Sequence, residues 1–167
     1  LDVIGGKDVM PITGYHGPYI CTNSEDGQYM PDYFTDEIWQ AIADCGINLM
    51  LYSSTDYMDY PEVIEKSLDL GEKYNMGVVV RDAEIINMAL EGDVTKEMIS
   101  ERLANYMNHP AYAGVYLVDE PHTEYYHTEG VARNDLYNYE QLSPILFQEL
   151  GTFAYAQAYP STGGKNE

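Results

Sequence analysis

Apolar positions along this chain alternate between two spacings, a helical stripe at intervals of three and four and a short unbroken run, with glycine at the junctions. FTDEIWQAIADCG carries Ile38, Ile42 and Cys45 on one helical face, stops at Gly46 and gives way to INLMLYSS. Pro61 suits a helix's first turn, Val63, Ile64, Ser67, Leu68 and Gly71 continue one face, and MGVVV follows. Thr95 is placed to cap TKEMISERLANYM, whose Ile99, Leu103 and Tyr106 share a face; after the break at His109 and Pro110 comes YAGVYLV. A further helix is expected from about Ser143 and Pro144 to Gly151, leading into TFAYAQAYPS.

Gly46, Gly77, Gly114 and Gly151 mark the strand entries at intervals of roughly 30 to 40 residues, the length of one strand-helix unit. Runs such as VVV and GVYLV predict strands buried on both faces, which is the property of a parallel sheet. With PITGYHGPY as a first strand, the pattern predicts an α/β domain over residues 1–167 with about five strands and four helices. Such a rhythm fits an open doubly wound sheet or a (β/α)8 barrel. The first connection, TGYHGPYICTNSEDGQYMPDYF, is long and rich in Tyr, Asp and Pro where a nucleotide-binding sheet has a tight glycine-rich phosphate loop, and it favours the barrel. A complete barrel needs about 250 residues. The expectation is therefore the first five units of one, with the rest of the barrel still to come.

Charge removes some functions. The chain has 28 acids against 8 bases, a formal net charge of −20, which repels phosphate backbones and anionic membrane surfaces. Nucleic acid and membrane are not expected partners. Cys21 and Cys45 are too few and too far apart for a metal knuckle or a disulfide framework and read as free thiols. LDVIGGKDVM shows no secretory leader and no initiator Met, which fits a mature secreted protein, an excised piece or an internal segment. An extracellular or periplasmic location is the expectation. The 17 tyrosines offer flat apolar faces with a polar tip, suited to sugars as well as to ordinary packing.

Polar and aromatic residues gather just after the predicted strands: Tyr15 and His16, Tyr52 to Ser54, Arg81 and Asp82, Asp119 and Glu120, and Tyr159. In a barrel these ends meet at one mouth, where such enzymes place their chemistry. The sharpest case is GVYLVDEPHTEYY, an apolar strand closed by two adjacent acids and a proline. The segment NHPAYAGVYLVDEP resembles the fourth-strand region of clan A retaining glycoside hydrolases, whose barrels end that strand in Asn-Glu, often Asn-Glu-Pro; AYAQAYPS is similar to the fifth strand that follows. The resemblance implies a TIM barrel acting on an oligo- or polysaccharide, with Glu120 as general acid/base and a nucleophilic glutamate on strand seven, beyond Glu167. Asp119 stands where the family has Asn and can accept a hydroxyl's bond but donate none.

The chemistry is consistent with that assignment, since cleaving a glycosidic bond takes one carboxylic acid at the leaving oxygen and a second carboxylate across the sugar. A neighbouring Asp119 and partial burial would raise the Glu120 pKa toward a general acid's range. An ion pair between Glu120 and Arg81 fits the same residues. His16, Tyr15, Tyr52, Arg81, His122 and Tyr159 are candidate substrate contacts, with Tyr125 and Tyr126 as a stacking platform or loop cover. The spacing of His122, Glu124 and His127 matches no zinc pattern, and neither a metal nor another cofactor is expected. Two other functions remain open. Substrate-assisted cleavage of N-acetylated sugars would use Asp119 and Glu120 together, although that group's His-x-Gly-Gly-Asp-Glu reads Tyr-Leu-Val-Asp-Glu here. A non-catalytic carbohydrate-binding or structural barrel would keep the tyrosines alone.

Overall fold

A computed structural model of the chain describes residues 10–14, 34–51, 61–85, 88, 94–119, 145–146, 150–151 and 154–157. Four strands, β1 (Leu49–Leu51), β2 (Gly77–Val80), β3 (Tyr112–Asp119) and β4 (Ala154–Gln157), form one sheet in sequential order, and every neighbouring pair is parallel. Thr13 adds a parallel bridge to Leu49, on the free side of β1. The Asn48 side chain secures that segment, accepting from the Ile12 N–H at 2.8 Å and donating to the Met10 carbonyl at 3.0 Å.

Among the described residues, helices α1 (Asp36–Asp44), α2 (Pro61–Tyr74) and α3 (Lys96–Leu103) connect or precede these strands. Thr35 caps α1 and Thr95 caps α3, each hydroxyl accepting an otherwise unpaired N–H of the first turn, from Ile38 and Met98 respectively. Gly46, at φ +85°, takes the left-handed position just after α1 that a side chain would strain. In α2 the stripe Val63, Ile64, Ser67, Leu68 and Gly71 is buried, with Leu70 beside it. Gly71 lets the helix sit directly on β2, since a Cβ there would meet Val78 Cγ2 at 2.7 Å and the Met76 carbonyl oxygen at 3.0 Å.

Two expectations for the helices need correction. The α1 face is centred on Trp39, which is fully buried, with Ile42 and Ala43 packed beside it, while Cys45 is exposed as a free thiol; the stripe is set by 39, 42 and 43, not by 38, 42 and 45. Helix α3 ends at Leu103, short of the Met107 its apolar stripe suggested, and residues 104–111 turn instead. Tyr106 keeps its place on the buried face, but it does so from that turn, where its hydroxyl is held by Asp82. The expected helix near 143–151 is described only at residues 145–146 and 150, with Leu146 buried in the main core.

The sheet has two different faces. One carries Met50, Val78, Val80 and Val115 and packs with Trp39 of α1, Val63, Ile64 and Leu68 of α2, and Ile99 and Leu103 of α3 in a single core. On the other, Leu49, Val79, Ala113 and Tyr116 form a separate buried cluster that contains no helical residue. Val78, Val79 and Val80 are all fully buried, so β2 is covered on both sides, as the unbroken VVV predicted.

Candidate functional site

The exit of β2 separates two adjacent polar residues. Arg81 lies two residues beyond Val79, and pleating returns it to the face of Leu49, Val79 and Tyr116. It is 8% exposed there, with its guanidinium carbon 5.5 Å from the centroid of the fully buried Tyr116 ring. Asp82, one residue on, belongs to the helix side. Its Oδ1 accepts from the backbone N–H groups of Glu84 and Ile85, at 2.9 and 3.3 Å, and starts the helical turn at 83–85. Its Oδ2 accepts from Arg102 Nε at 2.7 Å and from the Tyr106 hydroxyl at 2.8 Å. Arg102 also reaches Glu84 at 2.8 Å.

Asp82 is fully buried, and a buried carboxylate is tolerable only when paired and hydrogen-bonded in this way. The network perturbs its members. Burial pushes the Tyr106 phenol well above its ordinary value, and the adjoining Asp82 carboxylate pushes it further. For Arg102, burial opposes the charge, but the bond to Asp82 and the attraction of Asp82 and Glu84 outweigh it and raise the pKa. Asp82, grouped in the sequence with the strand-end residues, is thus the bolt between β2 and α3.

Tyr116 owes its position to an irregularity in β3. Val78 pairs with Tyr112 but Val79 pairs with Gly114, so one extra residue enters β3 there, and Gly114 adopts φ +135°. The bulge resets the alternation: Tyr112 and Val115 both pack in the helix-side core, whereas Tyr116 joins Leu49 and Val79. The strand begins at Tyr112, which makes Gly114 an interior residue and not the strand entry the sequence suggested. Glycine inside a strand signals a bulge, and that signal could have singled out Tyr116. A second shift falls between Tyr116 and Val118, after which Asp119 ends the strand in register with Gln157.

Of the candidate residues, Arg81 and Asp119 lie at the ends of adjacent parallel strands, both at the C-terminal edge of the sheet. Glu120, Tyr15, His16, Tyr52, His122 and Tyr159 lie outside the described residues, as do Tyr125, Tyr126, Glu124, His127 and Cys21. Among the described residues no group of His, Cys, Asp and Glu is arranged to hold a metal ion, and no helix is long and apolar enough to cross a membrane. A small open cleft lies elsewhere, between the first turn of α2 and the end of α3, lined by Pro61, Ile64, Glu65, Arg102, Asn105 and Tyr106. It is built of helix-side residues and touches neither Arg81 nor Asp119.

Comparison with protein-family models, curated proteins and solved structures finds no match for this chain.

Proposed function

We propose that the chain forms an arc of a (β/α)8 barrel whose mouth hydrolyses glycosidic bonds, with Glu120 as general acid/base. The observation that carries this reading is the alignment of Arg81 and the Asp119 strand end on neighbouring parallel strands, at the sheet edge where α/β proteins assemble their sites. Strand order supports the barrel: β1 to β4 are sequential and the described helices α1, α2 and α3 share one core on one face, whereas a doubly wound sheet reverses its order and carries helices on both faces. In this reading the apolar cluster on the other face would belong to the side-chain layers that fill a barrel's interior.

In this scheme Glu120 protonates the leaving-group oxygen, and Asp119 accepts a bond from a sugar hydroxyl. Arg81 supplies positive charge at the neighbouring strand end. A retaining reaction further requires a carboxylate roughly 5 to 5.5 Å from the acid, a role assigned to no described residue. The substrate is an oligo- or polysaccharide, and the expected setting is extracellular or periplasmic.

The test is Glu120→Gln assayed against two aryl glycoside series. Turnover on poor leaving groups is expected to fall by about 10²-fold or more, with activated leaving groups spared, because only the former need a proton. Equal loss on both series would remove Glu120 as the acid. Wild-type protein that binds sugars without hydrolysing any of them would instead favour the non-catalytic barrel.

A further inference from the structure

We infer that Asp82 is a positioning residue: from the helix side of the sheet its carboxylate fixes the backbone at the exit of β2 and so holds Arg81 against the Tyr116 ring on the opposite face. What this means for function rests on the reading of this strand end as part of the proposed site. Its geometry rests on described residues alone.

β2 ends at Val80, whose pairing with Val115 is the last in its register with β3, and a helical turn begins at residue 83. Between them stand Arg81 and Asp82, 8% and 0% exposed. Successive side chains of an extended backbone point to opposite faces and their Cα atoms are only about 3.8 Å apart, so a movement of one residue carries the other with it. Holding Asp82 holds Arg81. The Asp82 carboxylate is secured at both oxygens: Oδ1 takes the Glu84 and Ile85 N–H groups of its own turn, while Oδ2 takes Arg102 Nε at 2.7 Å and the Tyr106 hydroxyl at 2.8 Å. The Oδ2 pair reaches α3 and the turn after it. Arg102 is braced in turn by Glu84, and the Tyr106 ring lies 5.8 Å from that of Tyr112, the first residue of β3. β3 thus grips residues 81 and 82 from both faces, through Tyr112 and Tyr106 on the helix side and through Tyr116 on the other. Positions 112 and 116 would share a face in a regular strand, and the residue inserted at Gly114 parts them. The grip has little slack. Attraction between a guanidinium and an aromatic ring needs the cation within about 6 Å of the ring centroid, and the Arg81 guanidinium carbon stands at 5.5 Å, so a small backbone shift at 81 and 82 is enough to lose it.

The experiment is an NMR measurement of NOEs from the Arg81 side chain to the Tyr116 ring in wild-type protein and in Asp82→Asn, Tyr106→Phe and Leu68→Ala. Asp82→Asn is nearly isosteric and keeps an oxygen for the Glu84 and Ile85 amides, but it offers Arg102 neither a charge nor a second acceptor. It should lose most of the NOE intensity between Arg81 and Tyr116. Tyr106→Phe removes one of the two Oδ2 bonds and should weaken the same NOEs by less. Leu68→Ala takes buried packing from α2 and lowers overall stability without touching any bond of Asp82, and it should leave the NOEs as in wild type. NOEs that survive unchanged in Asp82→Asn, that weaken as much in Leu68→Ala, or that are absent from wild type overturn the inference. Should Asp82→Asn fail to fold, Tyr106→Phe decides: weakened NOEs support the inference and unchanged ones refute it. No substrate is needed, so a protein that shows this pattern and hydrolyses no glycoside keeps the positioning and loses only the proposed reaction.

Discussion

Arg81 and Asp82 are neighbours in sequence, and the two faces of the sheet make them different kinds of residue. On the helix side Asp82 is buried and held by two backbone N–H groups, Arg102 and Tyr106, so its bonds are spent on locking β2 to α3. On the other side Arg81 lies over the Tyr116 ring at the strand's exit, one residue past the pairing of Val80 with Val115. A polar residue at a strand end is therefore not by itself a site residue. The face it takes decides, and in β3 a single inserted residue changes that face.

The comparison breaks most visibly if Asp82 is removed. Asp82→Ala leaves the Tyr106 hydroxyl and two backbone donors without their acceptor and Arg102 with Glu84 alone, and should cost about 2 to 4 kcal/mol of stability in urea unfolding. A loss below about 1 kcal/mol would show that the bolt is not needed. Next in size, Gly71→Ala drives a methyl into Val78 and the Met76 carbonyl and should cost about 1 to 3 kcal/mol, testing whether α2 sits as close to β2 as described.

The Tyr106 hydroxyl sharpens the comparison through pH. Its folded pKa is raised above the ordinary 10.0, so the folded state holds the proton where the unfolded chain releases it. Its stabilisation is complete below about pH 10 and is lost as pH rises toward the folded value. Tyr106→Phe should cost about 1 to 2 kcal/mol near neutrality and flatten the alkaline limb of the stability profile. An unchanged alkaline limb in Tyr106→Phe would assign that limb to other groups.

Much of this fold was legible because burial follows period. The α2 stripe, the α3 residues Ile99 and Leu103, the caps at Thr95 and Gly46, and the VVV strand all follow from spacing and local chemistry. What was not legible depends on long-range partners. Trp39 displaced Cys45 from the α1 face because a large ring fills the core between helices, and α3 stopped early where Tyr106 meets a carboxylate 24 residues away. The faces of GVYLVDEP could not be read from an unbroken apolar run, since its register shifts on both sides of Tyr116. At the candidate site, strand-end position drew attention to Arg81 and Asp82 alike, and nothing local distinguished the stacked arginine from the buried bolt.

The most direct test of the account is where a sugar binds. Amide spectra of the Glu120→Gln protein, titrated with a panel of aryl glycosides, should show the largest shifts at residues 80–82 and 116–119, with little change in the first turn of α2 or at residues 102–106. Shifts concentrated in the cleft lined by Ile64, Arg102 and Tyr106, or none with any member of the panel, would contradict the assignment of the β2 and β3 strand ends as the functional edge.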